Sequence, residues 1–219
     1  LYVQLMDGFG QMTETRSASI TINPPRKAVV SIGWAYDDVA PGCVFDSGLG
    51  INRMNYSATA RTFVWDSGED AGTVVKGDSV NFNEDIRVGG ATTGDDSGMY
   101  PDSVLEKYVR YNGFPQNTYG HRTASIHLSP GTYRLRLFCS LNSTYKNSTE
   151  FMKVQTVVDG VANVFELPDG YDVIGNLTRW LEQEITVPES GMFELQWGME
   201  NATKGWMEVP LNIIEIEET

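Results

Sequence analysis

Leu128-Ser-Pro-Gly-Thr-Tyr-Arg-Leu-Arg-Leu-Phe-Cys-Ser140 is the stretch whose reading decides the fold. Tyr133, Leu135, Leu137 and Cys139 alternate with Arg134, Arg136, Phe138 and Ser140. A period of two in β-formers, launched from a Pro-Gly turn, predicts a half-buried antiparallel strand. Strand candidates flank it on both sides: Ala28–Trp34, Thr62–Trp65, Thr73–Val75, Val80–Val88 and Thr123–Leu128 before it. Phe151–Val158, Gly160–Leu167, Arg179–Val187, Gly191–Trp197 and Glu208–Glu217 follow. Turn signals recur about every ten residues, the spacing of a sandwich or barrel. The expected fold is all-β, an antiparallel jelly-roll β-sandwich with at most one or two short helical turns.

Those helical turns fall in Tyr100–Val109, where Asp102 or Ser103 would cap a stripe of Val104, Leu105, Tyr108 and Val109. Ala35–Tyr56 and Gly89–Met99 are polar and glycine-rich and read as loops, and Asp159-Gly160 reads as a hairpin turn. At the start, Tyr2–Met6 and Ser17–Ile22 read as two strands around Asp7-Gly-Phe-Gly-Gln. They resemble the closing strands of an Ig-like or PKD-like module, with Asn23-Pro-Pro-Arg-Lys27 as an extended linker. Alternatively residues 1–24 pack on the main body, since an isolated hairpin is marginal in water. The main sandwich is expected over 25–219.

The 219 residues carry 29 acids against 16 bases, a net charge of −13. That balance repels phosphate backbones and anionic membrane surfaces, so nucleic acid is excluded as a partner. No apolar run approaches the roughly eighteen residues of a membrane span, so no membrane insertion is expected. No basic-then-apolar leader opens the chain, which places any export signal upstream of Leu1. Cys43 and Cys139 either pair or remain free; Cys139 falls on the apolar face of the central strand, where a thiol behaves as a small hydrophobe.

The usual catalytic sets are missing. The two histidines, His121 and His127, have no metal-ligand spacing, and neither a Gly-x-Ser-x-Gly elbow nor a phosphate-binding loop occurs. Gly77-Asp-Ser79 lacks the Asp-x-x-His and the α/β pattern of Gly-Asp-Ser esterases and reads as a turn. Paired carboxylates are the one catalytic option left open, because glycosidases need only two acids about 5–9 Å apart.

Val29-Val-Ser-Ile-Gly33, Tyr100-Pro-Asp-Ser-Val104, the central strand, Gly191–Trp197 and the closing Leu211-Asn-Ile-Ile-Glu-Ile-Glu-Glu218 come in a familiar order. That order resembles the galactose-binding-like β-sandwich in its malectin-like, carbohydrate-binding branch. The resemblance spans residues 28–218 and its motifs are structural. It implies a non-catalytic module appended to an exported, extracellular or cell-surface polysaccharide-active protein. Its partners would be a polysaccharide or oligosaccharide and neighbouring domains of the same chain. The loop after the central strand, Leu141-Asn-Ser-Thr-Tyr-Lys-Asn147, departs from the Arg-aromatic pair common there, leaving Lys146 in that role without bidentate geometry.

Sugars present flat apolar faces edged with hydroxyls, so a site needs exposed aromatics beside polar side chains. Phe193, Leu195, Trp197 and Trp34 are expected in the core. The candidates for ligand binding are Tyr36, Asn142, Tyr145, Lys146, Tyr119, Trp180 and Trp206, with Trp180 pointing to solvent or to a neighbouring module. The one cofactor the resemblance implies is a structural calcium near the first strand's loop, for which Asp37, Asp38 and Asp46 are the oxygen-bearing candidates. Five Asn-x-Ser/Thr sequons (Asn55, Asn142, Asn147, Asn176, Asn201) are glycan acceptors in a eukaryotic secretory route, or polar turn chemistry in a bacterial one. Two rivals accompany the carbohydrate-binding reading: a structural or adhesion spacer, and a glycan-active catalytic domain using paired acids.

Overall fold

The computed structural model describes residues 2–3, 16–17, 24–40, 42–77, 86–113, 119–142, 149–201 and 207–219. In chain order its strands are β1 (Tyr2–Val3), β2 (Arg16–Ser17), β3 (Lys27–Ser31), β4 (Cys43–Asp46), β5 (Ile51–Met54) and β6 (Arg61–Val64). Then come β7 (Asp70–Lys76), β8 (Ile86–Val88), helix α1 (Asp102–Leu105), β9 (Lys107–Gly113), β10 (Gly120–Leu128) and β11 (Gly131–Phe138). The rest are β12 (Met152–Val158), β13 (Val161–Val164), β14 (Leu181–Val187), β15 (Met192–Met199), β16 (Met207–Leu211) and β17 (Ile213–Glu218).

Two six-stranded sheets form a β-sandwich, one ordered β13-β12-β15-β10-β7-β6 and the other β14-β11-β17-β3-β5-β4. Among the described strands, all pairings are antiparallel except β3 with β5. A smaller sheet, β16-β9-β8, stands beside them. From β10 onward the chain keeps changing sheet: β10 to β11, β11 to β12, β13 to β14 and β14 to β15 all cross over. A strand whose apolar side chains point one way must meet a second apolar face, and this crossing supplies it.

The central strand behaves as its alternation requires. Tyr133, Leu135, Leu137 and Cys139 are buried in the main core, facing Ala124, Ile126, Phe193, Leu195 and Trp197 of the other sheet. Phe193, Leu195 and Trp197 are fully buried, as their pattern predicts. Arg134 and Arg136 take the outer face and pair with Glu217 and Glu215 of the neighbouring β17. At the hairpin between β12 and β13, Asp159 and Gly160 both adopt positive φ (48° and 78°), the geometry of a tight two-residue turn.

Four expectations need correction. Ala35–Tyr56 holds a hairpin, β4 with β5, around a turn that Asp46 Oδ1 closes by accepting from the Gly48 and Leu49 amides. The glycines there serve the turn and do not make the whole stretch a loop. In Tyr100–Val109 the helix stops at Leu105, and Tyr108 and Val109 belong to β9. Neither Asp102 nor Ser103 caps it: Pro101 holds that position, and the Asp102 carboxylate instead accepts from the Thr93 and Gly94 amides. Glu208–Glu217 is two strands in different sheets, broken at Asn212.

Trp34 leaves the face of Val30 and Ile32. The strand ends at Ser31, and Gly33 passes so close to β9 that a β-carbon would lie 2.2 Å from the Tyr108 nitrogen. Trp34 is buried in the core as expected, but in a second cluster with Val29, where its indole donates to Ser31 Oγ at 2.9 Å. At the start of the chain Tyr2–Val3 pairs with Arg16–Ser17; the remainder of the two expected strands there, like most of Val80–Val88 and Asp78-Ser79, lies outside the described residues.

Replacing Leu135, fully buried at the centre of β11, by alanine should cost about 3 kcal/mol. Arg134→Ala, on the outer face of the same strand, should cost under about 1 kcal/mol. Urea titrations of both variants check the contrast, and equal losses would contradict the inward and outward assignment.

Candidate functional site

Sheet register decides which loops share an end. Gly120 of β10 and Met152 of β12 both lie opposite Met199 of β15. One row therefore carries the residues where β10 and β12 begin and β15 ends. Tyr119 precedes that row and Glu200 follows it, and β11 runs back toward the same end to deliver Asn142. Lys27 of β3 pairs with Glu217 at the far end of the sandwich, where the Glu218 amide donates to the Arg26 carbonyl at 3.0 Å.

One position inward from that row, His121, Gly198 and Lys153 lie opposite one another across three strands. Gly198 is obligatory there, since a β-carbon would fall 1.9 Å from the Gly120 carbonyl oxygen. The Tyr119 ring stacks on His121 at 4.5 Å between centroids, and the Lys153 ammonium sits 4.8 Å from the same ring. Lys153 also bonds Glu200 at 2.8 Å, and the Tyr119 hydroxyl donates to the Lys153 carbonyl at 3.3 Å. Burial, with the Glu200 charge behind it, pushes the Tyr119 phenol above its ordinary pKa, so it remains a donor.

An open groove of about 620 Å³ runs alongside, lined by Glu150, Phe151, Met152, Lys153, Val164, Phe165, Leu167, Glu200 and Asn201. Met152 and Phe165 are buried in its floor, Phe151 is half-buried, and Val164 and Leu167 are exposed. Lys153 and Glu200 hold each other across one wall. A second depression, of about 530 Å³, lies at the opposite end between Pro24, Pro25, Arg26, Glu69, Glu218 and Thr219. There Arg26 pairs with both Glu218 and Glu69, which holds Glu218 below the usual carboxylate range chiefly through its hydrogen bond to Arg26.

The sequence candidates distribute unevenly over this geometry. Tyr119 stands beside the groove, within reach of its wall. Asn142 is exposed, with its backbone amide held by the Gly89 carbonyl at 2.8 Å. Tyr145, Lys146 and Trp206 lie outside the described residues, and of Tyr36 the backbone alone is described, in a short 3-10 turn with Asp37 and Asp38. Trp180 is turned away from the core face of β14, as its alternation requires, but lies half-buried. Phe138 at 5.4 Å, Tyr100 at 6.3 Å and the Arg136 guanidinium at 4.6 Å surround its ring, and the indole donates to Met99 Sδ. Asp46 is committed to Arg53 at 2.8 Å and to its own turn, while Asp37 and Asp38 are exposed. Among the described residues no group of three or more His, Cys, Asp or Glu could hold a metal ion.

The groove's own residues were not among the candidates. Phe151, Lys153 and Val164 read as strand positions, and Lys153 meets Glu200 only because the register of β12 and β15 brings together residues 47 apart. A strand-end cation beside a polar turn was the one signal available.

Among the sequons, Asn55 and Asn176 are buried and spend their amides on backbone carbonyls: Asn55 on Trp34, Asn176 on Cys139 and Arg179. Asn142 and Asn201 are exposed, and Asn147 lies outside the described residues. The sequence matches no family model and no curated protein.

Both cysteines are free thiols. Burial pushes Cys139 up to about 12 and Cys43 up to about 11, the latter against the opposing charge of Arg61. Protonated thiols are poor nucleophiles. Alkylation of the folded protein near neutral pH should leave Cys139 unmodified under conditions that label the unfolded chain fully. Because the folded state disfavours the thiolate, stability should fall as pH rises above the ordinary thiol value of 9.0, which pH-dependent urea titrations check.

Proposed function

We propose that this chain is a non-catalytic carbohydrate-binding module of an exported polysaccharide-active protein. The observation that carries the reading is the groove at the loop end of the sandwich. An apolar strip of Phe151, Val164 and Leu167 runs beside the Lys153–Glu200 pair, with Asn201 on the rim. A pyranose ring needs that pairing of apolar contact for its C–H face with hydrogen-bonding groups for its hydroxyls. The groove is open, which suits a polymer passing across it. Such a module holds its partner enzyme near the polymer and raises effective concentration.

A second reading, a structural or adhesion module, is favoured by the edge strand β13. All four of its residues are exposed, Val161 at 61% and Val164 at 52%, in the position where another strand could add. Val161→Lys would block strand addition and leave sugar binding unchanged.

Affinity electrophoresis through gels containing neutral polysaccharides should retard the protein. Phe151→Ala and Tyr119→Ala should each weaken that retardation about tenfold or more, in line with loss of a ring contact. Trp180→Ala should lower stability and leave retardation intact. Absence of retardation by every polysaccharide, or loss only in the Trp180 variant, would overturn the assignment of the groove.

A further inference from the structure

We infer that the groove selects an oligosaccharide of amino sugars carrying free amines over its N-acetylated, neutral or uronic counterparts; this rests on the carbohydrate-binding reading above. Among the described residues, the charges lining the groove are two carboxylates and one ammonium, and they are not equivalent. Lys153 is committed, bonded to Glu200 at 2.8 Å and lying over the Tyr119 ring at 4.8 Å. Glu150 is exposed and has no ion-pair partner among the described residues. Among the described residues, the lining therefore offers incoming sugar one uncompensated carboxylate and no uncommitted cation.

That asymmetry sorts ligands by charge. A uronate would face Glu150 without a cation to meet it, on a chain whose net charge is already −13. A neutral sugar gains hydrogen bonds and ring contact alone. A protonated amine adds a charge-assisted bond to Glu150, the stronger kind. The apolar strip favours sugars with equatorial substituents, whose C–H faces are flat, so the class is a β-linked hexosamine chain with its amines unblocked.

Calorimetric titration of the intact protein tests this with four short β-linked or uronic oligosaccharides: glucosamine, N-acetylglucosamine, glucose and galacturonate. Measurements belong at low salt and at a pH that keeps the glucosamine amine charged. The free-amine oligosaccharide should bind about tenfold tighter than its N-acetylated form, the worth of one charge-assisted hydrogen bond. Glu150→Gln, at an exposed position, should abolish that difference. Equal affinity for the free-amine and N-acetylated chains overturns the inference and leaves the carbohydrate-binding reading standing. So does a preference that survives Glu150→Gln. Failure of all four to bind overturns both.

Discussion

The end of the central strand is where this fold is held together. Once β11 leaves its sheet after Phe138, the backbone groups beyond it need new partners away from water. Asn212 supplies several at once: its side-chain oxygen accepts from the Ser140 amide at 2.7 Å, its side-chain amide donates to the Leu105 carbonyl at 2.8 Å, and its own backbone amide donates to the Phe138 carbonyl at 3.0 Å. Ser140 Oγ donates to the Asn176 carbonyl at 2.6 Å and accepts from the Ala91 amide at 3.1 Å. Asn176 then reaches back to the Cys139 carbonyl at 2.9 Å. All three side chains are buried, so each broken bond would leave an orphan costing about 1–3 kcal/mol. Helix α1, the 89–92 segment and the run into β14 are thereby fixed around one point.

A second consequence appears on the outer face of β11. Glu215 is only 3% exposed, and it accepts from Arg136 at 2.6 Å and from the Tyr100 hydroxyl at 3.4 Å, with Lys27 at 3.6 Å. Burial chiefly, with the Glu215 charge beside it, raises the Tyr100 phenol. The segment carrying Tyr100 covers a face that would otherwise be open, and Trp180 fills the space between Tyr100, Phe138 and Arg136. Glu215 is thus a buried carboxylate held beside a second hydrophobic cluster, to which Phe138 belongs.

How far the sequence reveals this depends on the range of the interaction. Alternation in β11 and β15 and the Asp159-Gly160 turn are local, and each was legible. The Ala35–Tyr56 hairpin was hidden because its strands are short and flanked by the glycines of their own turn. Trp34 was rightly expected in the core, but that it joins the cluster of Val29 and Phe138 rather than that of Val30 and Ile32 was hidden, since the close pass of Gly33 against Tyr108 involves a residue far along the chain. The groove was less legible still. Tyr119 could be picked as a loop aromatic, but its partnership with Lys153 and that lysine's pairing with Glu200 follow from strand register alone. Trp180 carried a correct pattern of alternation, yet no period in its own strand reveals that the Tyr100 segment lies over it.

Arg26 and Glu218 clasp each other at the end of the sandwich opposite the groove, with Arg26 Nε on Glu218 Oε2 at 2.8 Å, and β3 and β17 run antiparallel away from them. Tension applied between these two residues would act along the inter-strand hydrogen bonds, across the strand axes. Such loading opens a ladder one rung at a time, like a zip, where a pull along the strands would have to shear every rung together. The Arg26–Glu218 pair is the first rung. That direction of pull is the one in which the β3–β17 ladder yields most easily.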